Sequence, residues 1–327
     1  MLNYIIRRIL AMIPTLFIVS VLTFIIIDLP PGDFMTQLAA NVGTSGSSMD
    51  AATVENLQRQ YGLDKPLVVR YFTWIGGWFK GDFGYSLDWK RPVSELIFDR
   101  LGLTLLLSLI SLAIMWLIAV PIGIYSATHQ YSWGDNILTF LGFLGLSVPD
   151  FLLGLVYLFV GIFVFSISVM GLYSSEYESA PWSVGKVLDL INHLFWPALI
   201  LGAGGMAKLI RIMRGSLLET LGQQFITTAR AKGLKEKVVV NKYAVRVAIN
   251  PLVSVMGMQI PELISGATVL GIVLSLPTTG PLFMRALLSQ DFYLAGTFLL
   301  FLAIMLMVGN LLADIALAWV DPRIRLE

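Results

Sequence analysis

The chain contains no cysteine and only two histidines among its 327 residues. Without thiols it can form no disulfide, no thiolate metal site and no cysteine nucleophile. Charged residues make up only 13% of the chain, whereas soluble domains usually carry about 25%. Hydrophobic residues reach 57%, and the mean hydropathy is +0.79. This composition indicates an integral membrane protein.

A second absence concerns catalytic machinery. The sequence has no G-x-x-x-x-G-K-[ST] phosphate-binding loop, so any ATP hydrolysis must take place in another protein. The glycine-rich run from Gly202 to Gly205 lies inside an apolar stretch, where close helix packing explains it better than dinucleotide binding. His129 and His193 stand far apart, which favours interfacial side chains over a metal site. We therefore expect neither a catalytic nor a metal site in this chain.

Six apolar runs are long enough to cross a bilayer. The first, Ile9 to Ile27, is uncharged over 19 residues, and a helix of that length covers roughly 29 Å, about one hydrocarbon thickness. The sequence therefore predicts an all-α polytopic membrane protein with six transmembrane helices. The other runs are Leu101 to Thr128, Ile137 to Val169 with an interruption at Pro149 and Asp150, Leu194 to Met213, Val247 to Leu276, and Tyr293 to Trp319.

Loop charge predicts the orientation of these spans. Cytoplasmic loops carry an excess of Lys and Arg, and the connection between the fourth and fifth runs is strongly basic. Both ends of the chain also carry arginines, so we expect both termini in the cytoplasm. The basic residues of the fourth connection and its flanks are Lys208, Arg211, Arg214, Arg230, Lys232, Lys235, Lys237, Lys242 and Arg246.

This pattern divides the chain into three parts. Residues 1–29 form the cytoplasmic N-terminus and first span, 30–100 an extracytoplasmic region, and 101–327 a core with five spans. Within the second part, apolar residues at helical spacing predict short helices at Val54 to Tyr61 and at Pro66 to Phe79. Asn41 to Ser48 is rich in Gly and Ser, which is typical of a mobile loop.

The basic segment 223–246 has the pattern of two short helices joined at a glycine. Thr227 to Lys232 has high helix propensity, and Gly233 can end a helix with a positive φ. Leu234 to Val245 then resumes a helical pattern as far as Asn250 and Pro251. Such an elbow is a docking surface, because small side chains allow another protein to approach closely. The alternative is a basic loop that only follows the charge rule for cytoplasmic segments.

Three dispersed motifs follow one another along the chain. The segment that starts at Tyr61 ends in Gly-Asp-Phe-Gly-Tyr-Ser at Ser86, and Thr228 to Gly233 reads Thr-Ala-Arg-Ala-Lys-Gly. The tail contains Asn310, Asp314 and Asp-Pro-Arg at 321–323. In this order the motifs resemble the first of the two permease subunits of peptide-type ABC importers, the dipeptide, oligopeptide and nickel group. The motif at Thr228 favours the elbow over the plain basic loop.

The resemblance implies a type I ABC importer permease fold, with a short extracytoplasmic helical insertion between spans one and two, in a prokaryotic cell membrane. It implies a second homologous permease, two nucleotide-binding ATPase subunits and an extracytoplasmic substrate-binding protein as partners, and no nucleic acid. ATP and Mg²⁺ would be bound by the ATPase subunits, so this chain needs no cofactor. The residues expected to couple to those subunits are Thr228, Ala229, Arg230, Ala231, Lys232, Gly233 and Leu234.

Two acidic residues in the apolar runs are candidates for the translocation pathway. An ionisable group inside a membrane span is costly, so it faces protein or a watery cavity rather than lipid. Asp150 and Glu262 meet this description. A helix-capping role is the alternative for Asp150, because it follows Pro149. A structural role is equally open for Glu262, and it is the favoured reading of Asp314.

The substrate stays open at this point. The family often has a Glu in the fifth span where this chain has Gly271, and the following turn reads Leu-Ser-Leu-Pro-Thr-Thr-Gly. The resemblance favours import of oligopeptides or dipeptides, with oligosaccharides or nickel chelates as alternatives. From another class, a stand-alone ion-coupled secondary transporter would use Asp150 and Glu262 as a relay. A non-transporting membrane scaffold is a third reading.

Overall fold

The computed structural model describes residues 2–29, 59, 64–167 and 169–320. This part of the chain is helical apart from one two-stranded hairpin. The elements in chain order are α1 (Leu2–Asp28), α2 (Leu67–Trp78), β1 (Tyr85–Ser86), β2 (Arg91–Pro92), α3 (Val93–Thr128), α4 (Trp133–Ser147), α5 (Asp150–Phe159) with a π-helical turn (Val160–Val164), α6 (Val184–Leu221), α7 (Gln224–Ala231), α8 (Glu236–Val238), a second π-helical segment (Val239–Ala244), α9 (Val245–Ala248), α10 (Asn250–Val273), α11 (Thr279–Leu288) and α12 (Phe292–Val320).

Five helices of the described ranges are long and apolar enough to cross a membrane, namely α1, α3, α6, α10 and α12. Each pairs its backbone N–H groups internally, which an apolar bilayer demands. The third predicted run is divided instead into α4, with 15 residues, and α5, with 10. The break falls at Val148 and Pro149, whose backbone is extended in both cases. Proline restricts the residue before it to that conformation, which explains where α4 ends.

The lengths of two spans differ from the prediction. Helix α6 has 38 residues and extends well beyond the predicted Leu194 to Met213 at both ends. At its start the Ser183 hydroxyl accepts a hydrogen bond from the Lys186 N–H (3.2 Å), and at its end Leu217 is fully buried. Capping and packing therefore continue the helix past the apolar core, where hydropathy carries no signal. Helix α10 begins at Asn250, with Pro251 in its first turn, where a missing N–H costs nothing.

The chain forms two compact units, of which the first is built around Leu103–Pro277. Its helices approach closely through small residues. A Cβ atom on Gly145 would lie 3.1 Å from the Ala203 carbonyl oxygen, and one on Gly257 would collide with the backbone of Gly309. The packing role predicted for the run from Gly202 to Gly205 agrees with the contact at Ala203. A hydrogen bond from Trp116 Nε1 to Gln259 Oε1 (3.1 Å) also joins α3 to α10.

The second unit contains Ile6–Gly102 and Thr278–Ile304. Helix α2 lies within the predicted Pro66 to Phe79 and packs against the end of α1. Arg70 forms a 2.8 Å ion pair with Asp28, and the Tyr71 and Ser20 hydroxyls are 2.8 Å apart. The Phe24 ring packs against Tyr71 and Trp74. The predicted helix at 54–61, apart from Arg59, and the predicted loop at 41–48 lie outside the described residues.

The short β hairpin was not predicted by the all-α reading of the sequence. It pairs Tyr85 with Pro92 and Ser86 with Arg91, too few residues to show a period in the sequence. The turn before α12 holds it in place, because the Ser86 hydroxyl donates to Asp291 Oδ2 (2.5 Å). The Asp88 N–H donates to the same oxygen (3.4 Å). Burial raises the pKa of Asp291 and outweighs these hydrogen bonds, which act to lower it.

The Asp291→Asn substitution tests the link between the hairpin and the turn before α12 through the pH dependence of stability. Because the folded-state pKa is raised, the stability that Asp291 contributes is greatest when it is protonated and is lost as the pH rises through that pKa. We expect the thermal stability of the parent complex, relative to the variant, to increase from neutral to mildly acidic pH, by about 1.4 kcal/mol per unit of pKa shift. Asp99→Asn, at an exposed carboxylate, is the control. Parallel pH profiles for parent and Asp291→Asn would contradict the assignment.

Candidate functional site

The first arm of the predicted elbow is α7, which has one buried and one exposed face. Ile226 and Ala229 lie three residues apart, on the same side of the helix. Ile226 is 0% and Ala229 6% exposed, and both belong to one hydrophobic core with Leu217 and Val239. The remaining α7 residues are exposed. The side chains of Ile226 and Ala229 thus fix helix α7 to the end of the bundle.

Gly233 ends this arm by taking a positive φ. Its φ is +75°, a conformation in which other residues are strained. The Gly233 N–H donates to the Arg230 carbonyl oxygen (2.9 Å), which closes the last turn. A Cβ atom at this position would meet nothing within 4 Å. The backbone conformation therefore requires the glycine, and the open space beside it leaves room for another protein.

The second arm is a continuous helical segment with a π-helical insertion. It runs from Glu236 through Val239–Ala244 to Ala248, and α10 follows almost directly. Arg230 bridges the two arms, since its Nε and Nη2 atoms donate to the two Glu236 carboxylate oxygens (3.1 and 2.6 Å). The Arg230 hydrogen bonds lower the pKa of Glu236. Both side chains are about half exposed, so the pair contributes at most about 1 kcal/mol.

The outward surface of the elbow combines positive charge with apolar side chains. Of the seven residues predicted to couple, six are exposed and Ala229 faces the core. Ala229 therefore holds the elbow in place and does not form part of its outer surface. Apolar groups stand among the lysines, since Phe225, Leu234 and Val238 are each more than one third exposed. Buried aromatic and aliphatic anchors with a charged rim are typical of protein interfaces.

Asp150 lies where the broken span begins its second helix. It is the first residue of α5, and the preceding Pro149 is the N-cap and makes no side-chain cap hydrogen bond. The Asp150 carboxylate is close to two glycines of neighbouring helices. A Cβ atom on Gly266 would lie 3.5 Å from it, and one on Gly204 would lie 3.9 Å away. These glycines make room for the carboxylate between α5, α6 and α10.

Glu262 lies on an open face of α10. Its side chain is 67% exposed and its Oε2 atom is 4.0 Å from Lys208 Nζ, which is itself 50% exposed. It also interacts electrostatically with Asp150. The structure thus brings together the two predicted pathway acids and adds Lys208, a residue that the sequence assigned only to the basic flank. Exposed charges on helices of membrane length require a watery cavity or a partner.

Two structural features were not predicted from the sequence. His193, expected at the interface, is buried at 7% exposure, whereas His129 is exposed and stacks on Tyr125 at 4.7 Å between ring centroids. Asp135 is 2% exposed and accepts a hydrogen bond from Arg214 Nη2 (3.2 Å), which ties the start of α4 to α6. The sequence signal available for Asp135 was its place in the first turn of a helix, where a carboxylate is favoured, but no pattern pointed to Arg214.

Comparison with known proteins decides the family. Residues 119–326 match the family described as binding-protein-dependent transport system inner membrane component, and residues 1–108 match its N-terminal family. The chain belongs to this family. It is therefore a non-catalytic, multi-pass permease component of the inner membrane, as the motifs predicted, and works with ATPase and binding-protein partners. Because the chain belongs to this family, it is neither a stand-alone ion-coupled secondary transporter nor a non-transporting membrane scaffold, the two alternatives left open by the sequence.

The permease is similar to curated relatives over its whole length. It is 38% identical over 322 residues to the oligopeptide transport system permease protein AppB of Bacillus subtilis, with 98% of each chain covered. It is 36% identical over 325 residues to the glutathione transport system permease protein GsiC of Pectobacterium atrosepticum, with 99% of each chain covered. These relatives confirm the predicted resemblance to peptide-type permeases.

A solved structure of the methionine ABC transporter MetNI, in an inward-facing conformation, has a similar fold. Its TM-score is 0.51, and the similarity covers 69% of this chain and 96% of the other. The identity is 17%, so this similarity bears on the fold alone. It supports the predicted ABC importer permease fold.

Gly233→Trp tests the elbow as a docking surface. The indole would fill the open space beside Gly233, and the ATPase subunits should be lost from the complex purified in mild detergent. Gly81→Trp is a matched control, because Gly81 has the same φ of +75° and the same open space, and it lies in the region predicted to be extracytoplasmic. Its strain cost is the same, about 1 to 2 kcal/mol. Equal retention of ATPase subunits by both variants would contradict docking at the elbow.

Proposed function

We propose that this permease imports short peptides, by converting ATP hydrolysis in partner subunits into alternating access. The proposed assembly contains a second homologous permease, two nucleotide-binding subunits and an extracytoplasmic binding protein. The proposed substrate class rests on the full-length similarity to an oligopeptide permease and a glutathione permease. The elbow, with one face buried in the core and the other outward, supports the coupling role.

The proposed coupling follows the covalent path from the elbow into the membrane. Closure of the nucleotide-binding subunits displaces the outer surface at Thr228 to Leu234. Because Ile226 and Ala229 are buried in the bundle, the elbow moves as one body with the core around it. The second arm leads almost directly into α10, so the displacement reaches the helix that carries Glu262. Rocking of α10 would then open the pathway alternately to either side.

The proposed topology has six spans with both termini in the cytoplasm. Five helices in the described part of the chain meet the length requirement, and in the proposed topology α4 with α5 forms the sixth crossing. Neither half suffices alone, since 15 residues of helix cover roughly 22 Å. Together they are long enough. A helix broken at membrane depth is tolerated where it is buried in protein or lines a cavity, which agrees with the position of Asp150 at the break.

Asp150 and Glu262 are the proposed pathway residues. A peptide carries an ammonium group at its N-terminus, and a carboxylate in a site with little water is a strong partner for it. Asp150 lies between glycines that leave space for a small group beside it. Glu262 has Lys208 as its neighbour, so this side of the site could also pair with the carboxylate of a peptide.

Glu262→Gln tests both the pathway and the substrate class. In proteoliposomes containing the complete transporter, peptide uptake should fall about tenfold, which corresponds to the loss of one charge-assisted hydrogen bond. Complex yield should not change, because the side chain is mostly exposed. Glu176→Gln, at an exposed position in the extracytoplasmic loop, is the control.

Uptake of a neutral oligosaccharide is measured in parallel. Oligosaccharide uptake by the parent without peptide uptake would contradict the proposed substrate. Unchanged peptide uptake by Glu262→Gln would remove this residue from the pathway.

A further inference from the structure

A cavity of about 660 Å³ lies between α5 with its π-helical turn and the first half of α6. This volume is within the range of pockets that hold small molecules. Its wall is almost wholly apolar, with three aromatic rings and one buried histidine. Lining residues include Leu153, Val156, Tyr157, His193, Trp196 and Ala203.

The far end of the cavity is closed by a tight chain reversal. After the π-helical turn the Ile167 N–H donates to the Gly161 carbonyl oxygen (3.0 Å), which turns the chain back on α5. Val169 is then buried against Gly161, where a Cβ atom would lie 2.5 Å from its Cγ1. The Tyr157 and Trp196 rings stack across the cavity wall at 5.9 Å. The cavity is therefore formed in advance and does not depend on a ligand to shape it.

His193 supplies the one buried polar group of this wall. Its side chain is 6% exposed, and Nδ1 is 3.0 Å from the Asp189 carbonyl oxygen and 3.5 Å from Asp189 Oδ1. A carbonyl oxygen only accepts, so Nδ1 carries the hydrogen, and in the neutral ring Nε2 is an acceptor. Nε2 has no hydrogen-bond partner within the described part of the chain. A buried polar atom left without a partner costs about 1 to 3 kcal/mol, which a ligand N–H could recover.

The near end of the cavity adjoins the Asp150 site. Leu153, in its wall, lies one helical turn beyond Asp150. Ala203, also in the wall, precedes Gly204, which faces the Asp150 carboxylate. The ten-residue separation of His193 and Ala203 on α6 corresponds to roughly 15 Å. An extended peptide of about four residues has this length.

We propose that the cavity binds the apolar or aromatic side chain of a transported peptide. In this arrangement a backbone N–H of the peptide donates to His193 Nε2, while its ammonium group lies at Asp150. Hydrocarbon chains of lipids have no donor and would leave His193 unpaired, so the chemistry favours a peptide. The inference rests on the proposed function, since it names which peptides the same pathway prefers.

The test compares pentaalanine with a pentapeptide that carries an aromatic side chain, in proteoliposomes holding the complete transporter and saturating, loaded binding protein. Val156→Phe fills the cavity from a position that is 53% exposed, so folding should be preserved. Leu188→Phe adds bulk to an exposed position of α6 outside the cavity and is the matched control. His193→Asn keeps a donor for the Asp189 carbonyl oxygen and removes the Nε2 acceptor.

We expect Val156→Phe to lower uptake of the aromatic peptide about tenfold, as is usual for a blocked hydrophobic pocket, and to leave pentaalanine uptake within about twofold. His193→Asn should lower uptake of both peptides, and Leu188→Phe of neither. Equal uptake ratios for the two peptides in parent and Val156→Phe would overturn the proposal. It would also be overturned if a phospholipid that co-purifies with the parent were lost from Val156→Phe without any change in uptake, because the cavity would then hold lipid. Absence of peptide uptake by the parent would instead refute the proposed function.

Discussion

Burial of one face of α7 is the constraint on which the coupling geometry depends. Fully burying an Ile side chain contributes about 1.5 to 3 kcal/mol, and Ile226 is completely enclosed. The exposed pair of Arg230 and Glu236 contributes at most about 1 kcal/mol. Apolar packing, and not the visible ion pair, therefore holds the elbow to the bundle. The ion pair links the two arms of the elbow.

In the proposed coupling, helical segments connect the elbow to the membrane span α10. The second arm continues through a π-helical segment into α9 and then α10 with only short interruptions. Helix α10 presents Glu262 to its open side and Gly266 to the Asp150 carboxylate. In the proposed coupling, a displacement of the elbow is therefore passed on to α10 and to the acid that it carries. Close packing through glycines, as at Gly145 and Ala203, leaves little slack for the helices to bend independently.

Hydropathy and small-residue chemistry were enough to predict much of this architecture. The five long spans, α2 and the glycine elbow all follow from apolar periodicity and from the φ that only glycine tolerates. The surroundings of two residues could not be predicted from these patterns. Ala229 belongs to the motif, yet its inward orientation depends on where Val239 and Leu217 lie in space. His193 looked isolated in the sequence, because the cavity around it forms only when α5 and α6 pack together.

Tertiary packing also determines an element boundary and a hairpin that local sequence patterns do not predict. Helix α6 extends beyond its apolar run because Ser183 caps one end and Leu217 packs at the other. The hairpin at Tyr85 is too short for any period and depends on Asp291, which is about two hundred residues away in sequence. Contacts of this separation leave no local pattern, so a single sequence cannot reveal them.

Rigid attachment of the elbow to α10 can be measured directly by pulsed electron spin resonance. The absence of cysteine allows spin labels to be placed at Lys232 and Met258 alone, both of which are exposed. In the complete transporter with intact, binding-protein-stimulated ATP hydrolysis, rigid attachment predicts the same distance between the labels in nucleotide-free and ATP-trapped states. A clear change in that distance between the two states would show that the elbow moves independently of α10 and would contradict rigid attachment.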